Sequence, residues 1–524
     1  MPEVTPELAA QMLAAAGLPA PQEVLPGVAA RLGAMHAATR EARRVVPDAT
    51  PVFTDFPFSD PLSSEKPSNV LNSDDDLAGL SAALRTGRLS PVQLTEWYLQ
   101  RIRDLNGDLI AFITVSEERA LADARRAEAE LRAGNWRGPM HGLPIAHKDL
   151  IATRGIRTTL HTHAHRDHVP DHDDPVVTTL ADAGTVLLGK VNTLELGSGE
   201  GDVFGLAKSA WDPARQVGGS SSGSAVAVSA GLTAAATGTD AGGSIRIPAA
   251  FAGIVGVKPT AGLVGNSRGI SVPGPMTRSA RGAAIMLEAM SGRGGLVKGL
   301  ESGVAGLRIG VPADWIDTPT EPEVKAAFEQ AIAYLKSAGA VVTEVRLPSA
   351  EASEQLGALV THVDCFGKYR YLLEQEARLS GFIHELLLAA ELYPASDYRL
   401  AQKSRQLLIE EVDAVHRSVD LMITPMLPYR AAIVGETELV IDGTTINPRL
   451  GQGRYTRLSN LTGLPSASVP AGLDSNGMPL AVQLLGRAFE ENLILRAARV
   501  LESRFPAIHP AVWRNPLELI QGEN

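Results

Sequence analysis

The sequence predicts an α/β protein whose main body is one large layered domain. Three observations lead there. From Asp74 onward, helical periodicities alternate with short apolar runs of strand type. The composition, 44% hydrophobic and 20% charged, is that of a folded globular chain. The 524 residues hold one cysteine, Cys365, so neither a disulfide nor a cysteine-cluster metal site staples the fold. A reducing, cytoplasmic setting is the expectation.

The elements follow in chain order. Thr5 and Pro6 read as N-cap and first residue of a short helix that ends at Gly17. A second helix opens near Pro26, carries Val28, Leu32 and Met35 on one side, and closes at Arg43-Arg44, where cations suit the helix dipole. Residues 1–46 are thus an expected N-terminal helical segment. Residues 47–73, with Pro47, Pro51, Pro57, Pro61 and Pro67, are an expected extended linker, and 74–524 an expected catalytic domain. Two short helices bury little surface alone, so the segment is expected to dock on the rest.

Within the main domain a helix is predicted near Ser90 to Leu105, capped by Ser90 with Pro91 at its first position. Leu143–Ala146 and Thr185–Leu188 read as strands, and Ala225–Ala236 as a helix rich in alanine and valine. Leu307–Val311, a helix from Thr320 with a Thr320/Glu323 capping box, and Ala340–Val345 form an expected βαβ unit. Leu421–Thr424 and Ser466–Val469 are further expected buried strands.

Charge and hydropathy exclude two classes of partner. With 48 basic against 59 acidic residues the net charge is −11, and no long Lys/Arg run offers a phosphate backbone a footprint. The N-terminus lacks the basic start of a signal peptide. The longest uncharged stretch, Gln216 to Thr239, has the length of a bilayer span, but 13 of its 24 residues are Gly, Ser or Thr. A soluble protein with no nucleic-acid or membrane partner is expected.

Several motifs compete for the chemistry. Gly184 to Val191 falls one residue short of a phosphate-binding loop, and Val191 stands where that loop needs a hydroxyl for magnesium. His161, His163, His165, His168 and His172 include an H-x-H-x-D-H pattern, similar to the two-zinc motif of metallo-β-lactamase-fold hydrolases. Its flanking charges and prolines favour a solvated loop. Gly219-Ser220-Ser221-Ser222-Gly223 fits the G-x-S-x-G elbow, a match that comes cheaply in a Gly/Ser-rich stretch.

The stronger reading joins three segments: Gly142 to Asp149, with Lys148 ending an apolar run; Gly218 to Ser224; and Thr239 to Arg246, which sets Ser244 after Ser220. Each alone is explained by tight turns and helix caps. Together, with Leu188–Asn192, Val257–Thr260, Gly274–Arg278, Asn460–Pro465 and Gln483–Arg487, they resemble the amidase signature family over most of Asp74 to Ile508. The resemblance implies a large mixed, twisted β-sheet covered by helices on both faces. It implies amide C–N hydrolysis without a cofactor or metal: Ser244 as nucleophile, Ser220 as bridging serine after a cis peptide, and Lys148 as base. It also implies an oxyanion hole of backbone N–H groups from Ala241, Gly242, Gly243 and Ser244.

A lysine among Gly, Ala and Val loses hydration, so its pKa should fall toward neutrality and let it act as a base. Asp240 and Arg246 are expected to pair and hold the turn, and Ser221 to support it. His147, where relatives usually carry an aliphatic residue, is expected to face away from the site. Phe366, Tyr369, Tyr429 and Arg430 are candidates for the substrate pocket, from two segments that contain many aromatic and aliphatic residues, His362–Asp397 and Met426–Gln452. The N-terminal segment is similar to small helical subunits that wrap certain relatives, and dimers are common in the family. Three readings stand: a serine amidohydrolase of small-molecule carboxamides, anilides or carbamates; a glutaminase-type subunit of an ammonia-transferring complex; and a metal-dependent hydrolase using the His161–His172 loop.

Overall fold

A computed structural model describes residues 4–18, 20–46, 52, 56, 76–201, 203–265, 269–449, 451–506 and 508–520. The expected linker 47–73 lies almost wholly outside the described residues. Helix α1 (Pro6–Ala15) starts where Thr5 Oγ1 accepts from the Leu8 N–H and gives way to Gly17 at φ +75°. Helix α2 (Leu25–Val45) buries Val28, Leu32 and Met35, the residues its periodicity marked. The helix Pro91–Leu109 opens with a reciprocal capping box between Ser90 and Gln93.

Thirteen strands are present among the described residues: β1 (Phe112–Val115), β2 (Pro144–Lys148), β3 (Val186–Val191), β4 (Ala235–Asp240), β5 (Val255–Lys258), β6 (Val272–Thr277), β7 (Arg308–Pro312), β8 (Val341–Val345), β9 (Leu421–Pro425), β10 (Leu439–Ile441), β11 (Thr444–Ile446), β12 (Ser466–Leu473) and β13 (Pro479–Gly486). Strands β10 and β11 form a separate hairpin. The other eleven make one mixed sheet in the order β1-β3-β2-β4-β6-β5-β12-β13-β9-β7-β8. Pairing is parallel for β3–β2–β4 and for β9–β7–β8, and antiparallel between them. Strands β2, β3, β5 and β9 are buried at every residue. Successive side chains point to opposite faces, so the sheet is covered on both. This is the expected fold.

Two local expectations are corrected. The helix expected over Ala225–Ala236 spans Ser222–Ser229 and stops before Gly231, at φ +67°; Ala235 and Ala236 belong to β4, between β2 and β6. Pairing on both sides in the buried sheet overrides the helix propensity of these alanines. The Thr320/Glu323 capping box does not form. The helix is Pro322–Ser337, Thr320 Oγ1 donates to the Thr318 carbonyl, and Glu323 instead pairs with Arg430. The βαβ unit around it is present, with β7 parallel to β8.

Helices α1 and α2 share one apolar cluster with the helices Ser353–Tyr369, Gly381–Glu391 and Ala395–His416. Polar contacts reinforce the docking. Thr39 Oγ1 donates to Asp397 at 3.2 Å, and Arg43 pairs with the same carboxylate. No helix among the described residues is long and apolar enough to cross a membrane.

Candidate active site

The site forms at the carboxyl ends of two parallel neighbours, β2 and β4, where α/β sheets commonly receive ligands. Lys148 ends β2. The turn after β4 carries Ser244, and the turn before the helix Ser222–Ser229 carries Ser220. The Gly219–Ser220 peptide is cis. Lys148 Nζ lies 2.7 Å from Ser220 Oγ and donates to Thr239 Oγ1 at 3.0 Å. The Ser221 N–H donates to the Ser244 carbonyl at 3.1 Å, which ties the two serine turns together. Ser244 is half-buried, and its Oγ has no hydrogen-bond partner among the described residues.

Burial lowers the Lys148 pKa to about 7, against the opposing charge of Asp240. Its neighbour His147 points to the opposite face, as strand alternation requires. His147 Nδ1 sits 3.0 Å from Thr237 Oγ1, and burial, aided by the Lys190 charge, pushes its pKa down to about 3. His147 is therefore a neutral core residue rather than a modulator of Lys148.

A buried ionic clamp shapes the turn that carries Ser244. Arg246 makes two hydrogen bonds to Asp240, each 2.9 Å, and further ones to Thr456 O, Ser459 Oγ, Asn460 Oδ1 and Gln483 Oε1. Burial pushes the Asp240 pKa up, but Arg246 and the Asn460 amide outweigh it and hold the carboxyl well below its usual range. Asp240 also accepts from the N–H groups of Gly243 at 2.8 Å and Ile245 at 3.2 Å. Gly243, at φ +112°, has no room for a Cβ, which would meet Ile247 Cδ1 at 2.5 Å. Arg246→Ala is expected to destabilise the protein by about 3–5 kcal/mol, because it strands the Asp240 charge. Denaturant unfolding checks this, and a loss below about 1 kcal/mol would show that the clamp is dispensable.

Of the four N–H groups expected to form an oxyanion hole, one is already engaged. The Gly243 N–H is held by Asp240, whereas no hydrogen bond engages those of Ala241, Gly242 or Ser244 among the described residues. These three remain as candidate donors. Ser221 Oγ bonds both the N–H and the carbonyl of Thr239 at 3.3 Å, a bracing position beside the Lys148 contact.

Ser220, Ala241 and Ser244 line the wall between two cavities, of about 420 Å³ and 630 Å³. The smaller is lined by Tyr369, one of the candidate pocket residues, and by Asp174, Asp364 and Cys365, whose thiol burial pushes up to about 12. The larger is lined by His362, Phe382, Arg449 and Arg457, together with residues of α2. Three expectations are corrected. Phe366 lines neither cavity and packs among helix residues. Tyr429 is buried elsewhere, donating to the Pro448 carbonyl at 2.7 Å, and Arg430 is held by Glu321, Glu323 and Asp474. Thr239, Arg457 and the α2 residues were missed. Thr239 opens a recognised segment but was given no role there, and nothing in the local pattern marked Arg457 or α2.

The histidine run does not assemble a metal centre. His161 is buried, with Nδ1 2.8 Å from Asn192 Oδ1 and Nε2 accepting from the Phe204 N–H at 3.3 Å. His165 meets Tyr371, and His172 pairs with Asp171 at the surface. Among the described residues, no three His, Cys, Asp or Glu groups come together to hold a metal ion. The near phosphate-loop is strand β3, whose Lys190 ammonium is buried on Thr153, Thr158 and the Ile151 carbonyl.

Comparison with known proteins completes the description. The sequence profile of the Amidase family matches residues 93–495. A glutamyl-tRNA(Gln) amidotransferase subunit from Ralstonia nicotianae is 36% identical over 486 residues, 81% of this chain and 97% of that relative. Among solved structures, one described as an amidase is 33% identical with a TM-score of 0.76, covering 82% of this chain and all of the other. Another, from a vestigial complex related to an s-triazine catabolic enzyme, is 28% identical with a TM-score of 0.77, covering 83% of this chain and all of the other.

Proposed function

This chain belongs to the Amidase family and is a hydrolase acting on carbon–nitrogen bonds, and on that premise we propose that it cleaves a primary carboxamide through an acyl-enzyme on Ser244, releasing ammonia. The observation that carries this reading is the 2.7 Å approach of Lys148 to Ser220 beside a Ser244 that opens onto both cavities. Neutral Lys148 takes a proton from Ser220 as Ser220 takes one from Ser244, whose oxygen attacks the carbonyl carbon. In this scheme the N–H groups of Ala241, Gly242 and Ser244 stabilise the oxyanion. The relay then runs backwards to protonate the departing nitrogen. A water, deprotonated by the same relay, hydrolyses the ester and restores Ser244. Asp240 and Arg246 hold the turn and touch no reacting atom in this scheme.

The fate of the ammonia separates two readings. The amidotransferase likeness favours an ammonia-transferring role over a free-standing amidase of anilides or carbamates. A single panel decides between them: ammonia or amine release from glutamine, other carboxamides, anilides and carbamates, with Ser244→Ala as control. Glutamine turnover that rises on adding amidotransferase partner subunits and charged tRNA supports the transferase. Efficient partner-free cleavage of anilides or carbamates supports the free-standing hydrolase. Absence of Ser244-dependent turnover across the panel would overturn both. Chelator treatment is expected to leave activity intact.

A further inference from the structure

Helix α2 lies outside residues 93–495, yet it forms part of the wall of the larger cavity. Gly27, Ala30, Arg31, Ala34 and Met35 face it, spaced as one side of a helix must be. Across the cavity stand Arg449 and Arg457. The guanidinium groups of Arg31 and Arg449 both contact the Phe382 ring, 4.2 Å and 4.0 Å from its centroid. Arg457 is bound to the nucleophile turn's surroundings: its Nη1 donates to the Glu354 carbonyl at 2.9 Å, and its Nε would lie 3.5 Å from a Cβ on Gly242. The charges of Arg31 and Arg457 both reach His362, which burial and their repulsion keep neutral, its pKa near 3. Arg31, Arg457 and Arg449 therefore share one chamber with the nucleophile.

Their charges are not fully answered. Two carboxylates line the same cavity. Glu385 approaches Arg31 Nε to 3.5 Å, in space left by the missing Cβ of Gly27. Glu354 is the other, and burial pushes its pKa up, toward the uncharged form. Arg449 turns one edge outward to Glu200. Arg457 Nε is buried and makes no hydrogen bond, and Arg31 Nε, also buried, has only the long approach of Glu385. Three guanidinium groups meet three carboxylates, one of which burial pushes toward its neutral form and one of which lies at the outer edge, so the chamber keeps a positive character that makes it a receptor for an anion.

We propose that Arg31 of α2 is a substrate-binding residue that, with Arg457 and Arg449, receives a carboxylate carried by the acyl part of the amide. The N-terminal helix would then supply part of the specificity pocket as well as packing against the domain. A planar carboxylate suits the guanidinium fork. This inference rests on the reading of Ser244 as nucleophile of the same cavity.

The test compares glutaramate with its neutral methyl ester, using ammonia release, in the full chain and in Arg31→Gln, Arg31→Lys and Arg449→Gln. Glutarate serves as a competing ligand. Loss of a charge-assisted contact is expected to raise KM for glutaramate by about 10- to 100-fold and to weaken glutarate inhibition similarly. The effect on the ester should be at least about tenfold smaller. Arg31→Lys, which keeps the charge and loses the fork, should fall between. If Arg31→Gln disturbs the docking of α2, the exposed Arg449→Gln carries the same comparison. Equal losses on acid and ester, or unchanged glutarate inhibition, overturn the carboxylate site while the Ser244 reading stands. If neither substrate is turned over but glutarate binding, followed by calorimetry, depends on Arg31, the catalytic reading fails and the anion site stands.

Discussion

Lys148→Ala is expected to remove amide cleavage, with kcat/KM falling by about 10²- to 10⁴-fold or more, the range for a general base. The reason lies in the protonation state of the amine. With its pKa near 7, about half of the Lys148 amines are neutral at pH 7. An ordinary lysine at 10.4 would present only about 4 × 10⁻⁴ of them. The sign follows directly: activity needs the unprotonated amine, so kcat/KM should rise with pH through about 7 and level off above it. Below that pH the ammonium cannot take a proton from Ser220. Lys148→Arg keeps a cation but has no accessible neutral form, so it should be as inactive as alanine. A Lys148→Ala enzyme that retains most of its activity, with the same acid limb, would refute the relay.

Ser244→Ala should be the most damaging single change, on the order of 10⁴- to 10⁶-fold in kcat, as for other removed nucleophiles. The change deletes one oxygen that has no structural partner among the described residues. Stability should therefore be nearly unchanged, and substrate binding measured by calorimetry should persist. That separates it from Arg246→Ala, in which activity and stability fall together. Mass spectrometry of the wild type mixed with a slow substrate should find an acyl adduct on the peptide bearing Ser244, absent from the variant. An adduct elsewhere would reassign the nucleophile.

The proposed catalytic trio was legible because each member sits in a contiguous run of small residues with a chemical reason to be there. Lys148 closes an apolar strand, and Ser220 and Ser244 lie in glycine-rich turns. The layered fold was legible from its alternating patterns. The helix expected across Ala225–Ala236 failed because propensity carries no knowledge of neighbours, and here two strands claim Ala235–Asp240. Strand β5 is only four residues long and β6 carries two prolines, so neither announces itself alone. The cavity walls were the least legible part. Tyr429 and Arg430 follow a strand end and look available, but the ion pairs to Glu321 and Glu323 come from a segment more than a hundred residues earlier. Arg31 meets Phe382 and Glu385 across an even longer separation, which no local spacing encodes.

The place of the β12–β13 hairpin has a consequence for biosynthesis. It joins β5 to β9, and so bridges the sheet built from residues 112–277 and the one built from 308–425. A ribosome delivers the hairpin after every other strand of that sheet. Until Gly486 has emerged, the nascent chain carries two unpaired strand edges, and Arg246 awaits Gln483. The turn that carries Ser244 is made early and clamped late. A half-made chain is thus an inactive enzyme that needs protection from sticking to its neighbours.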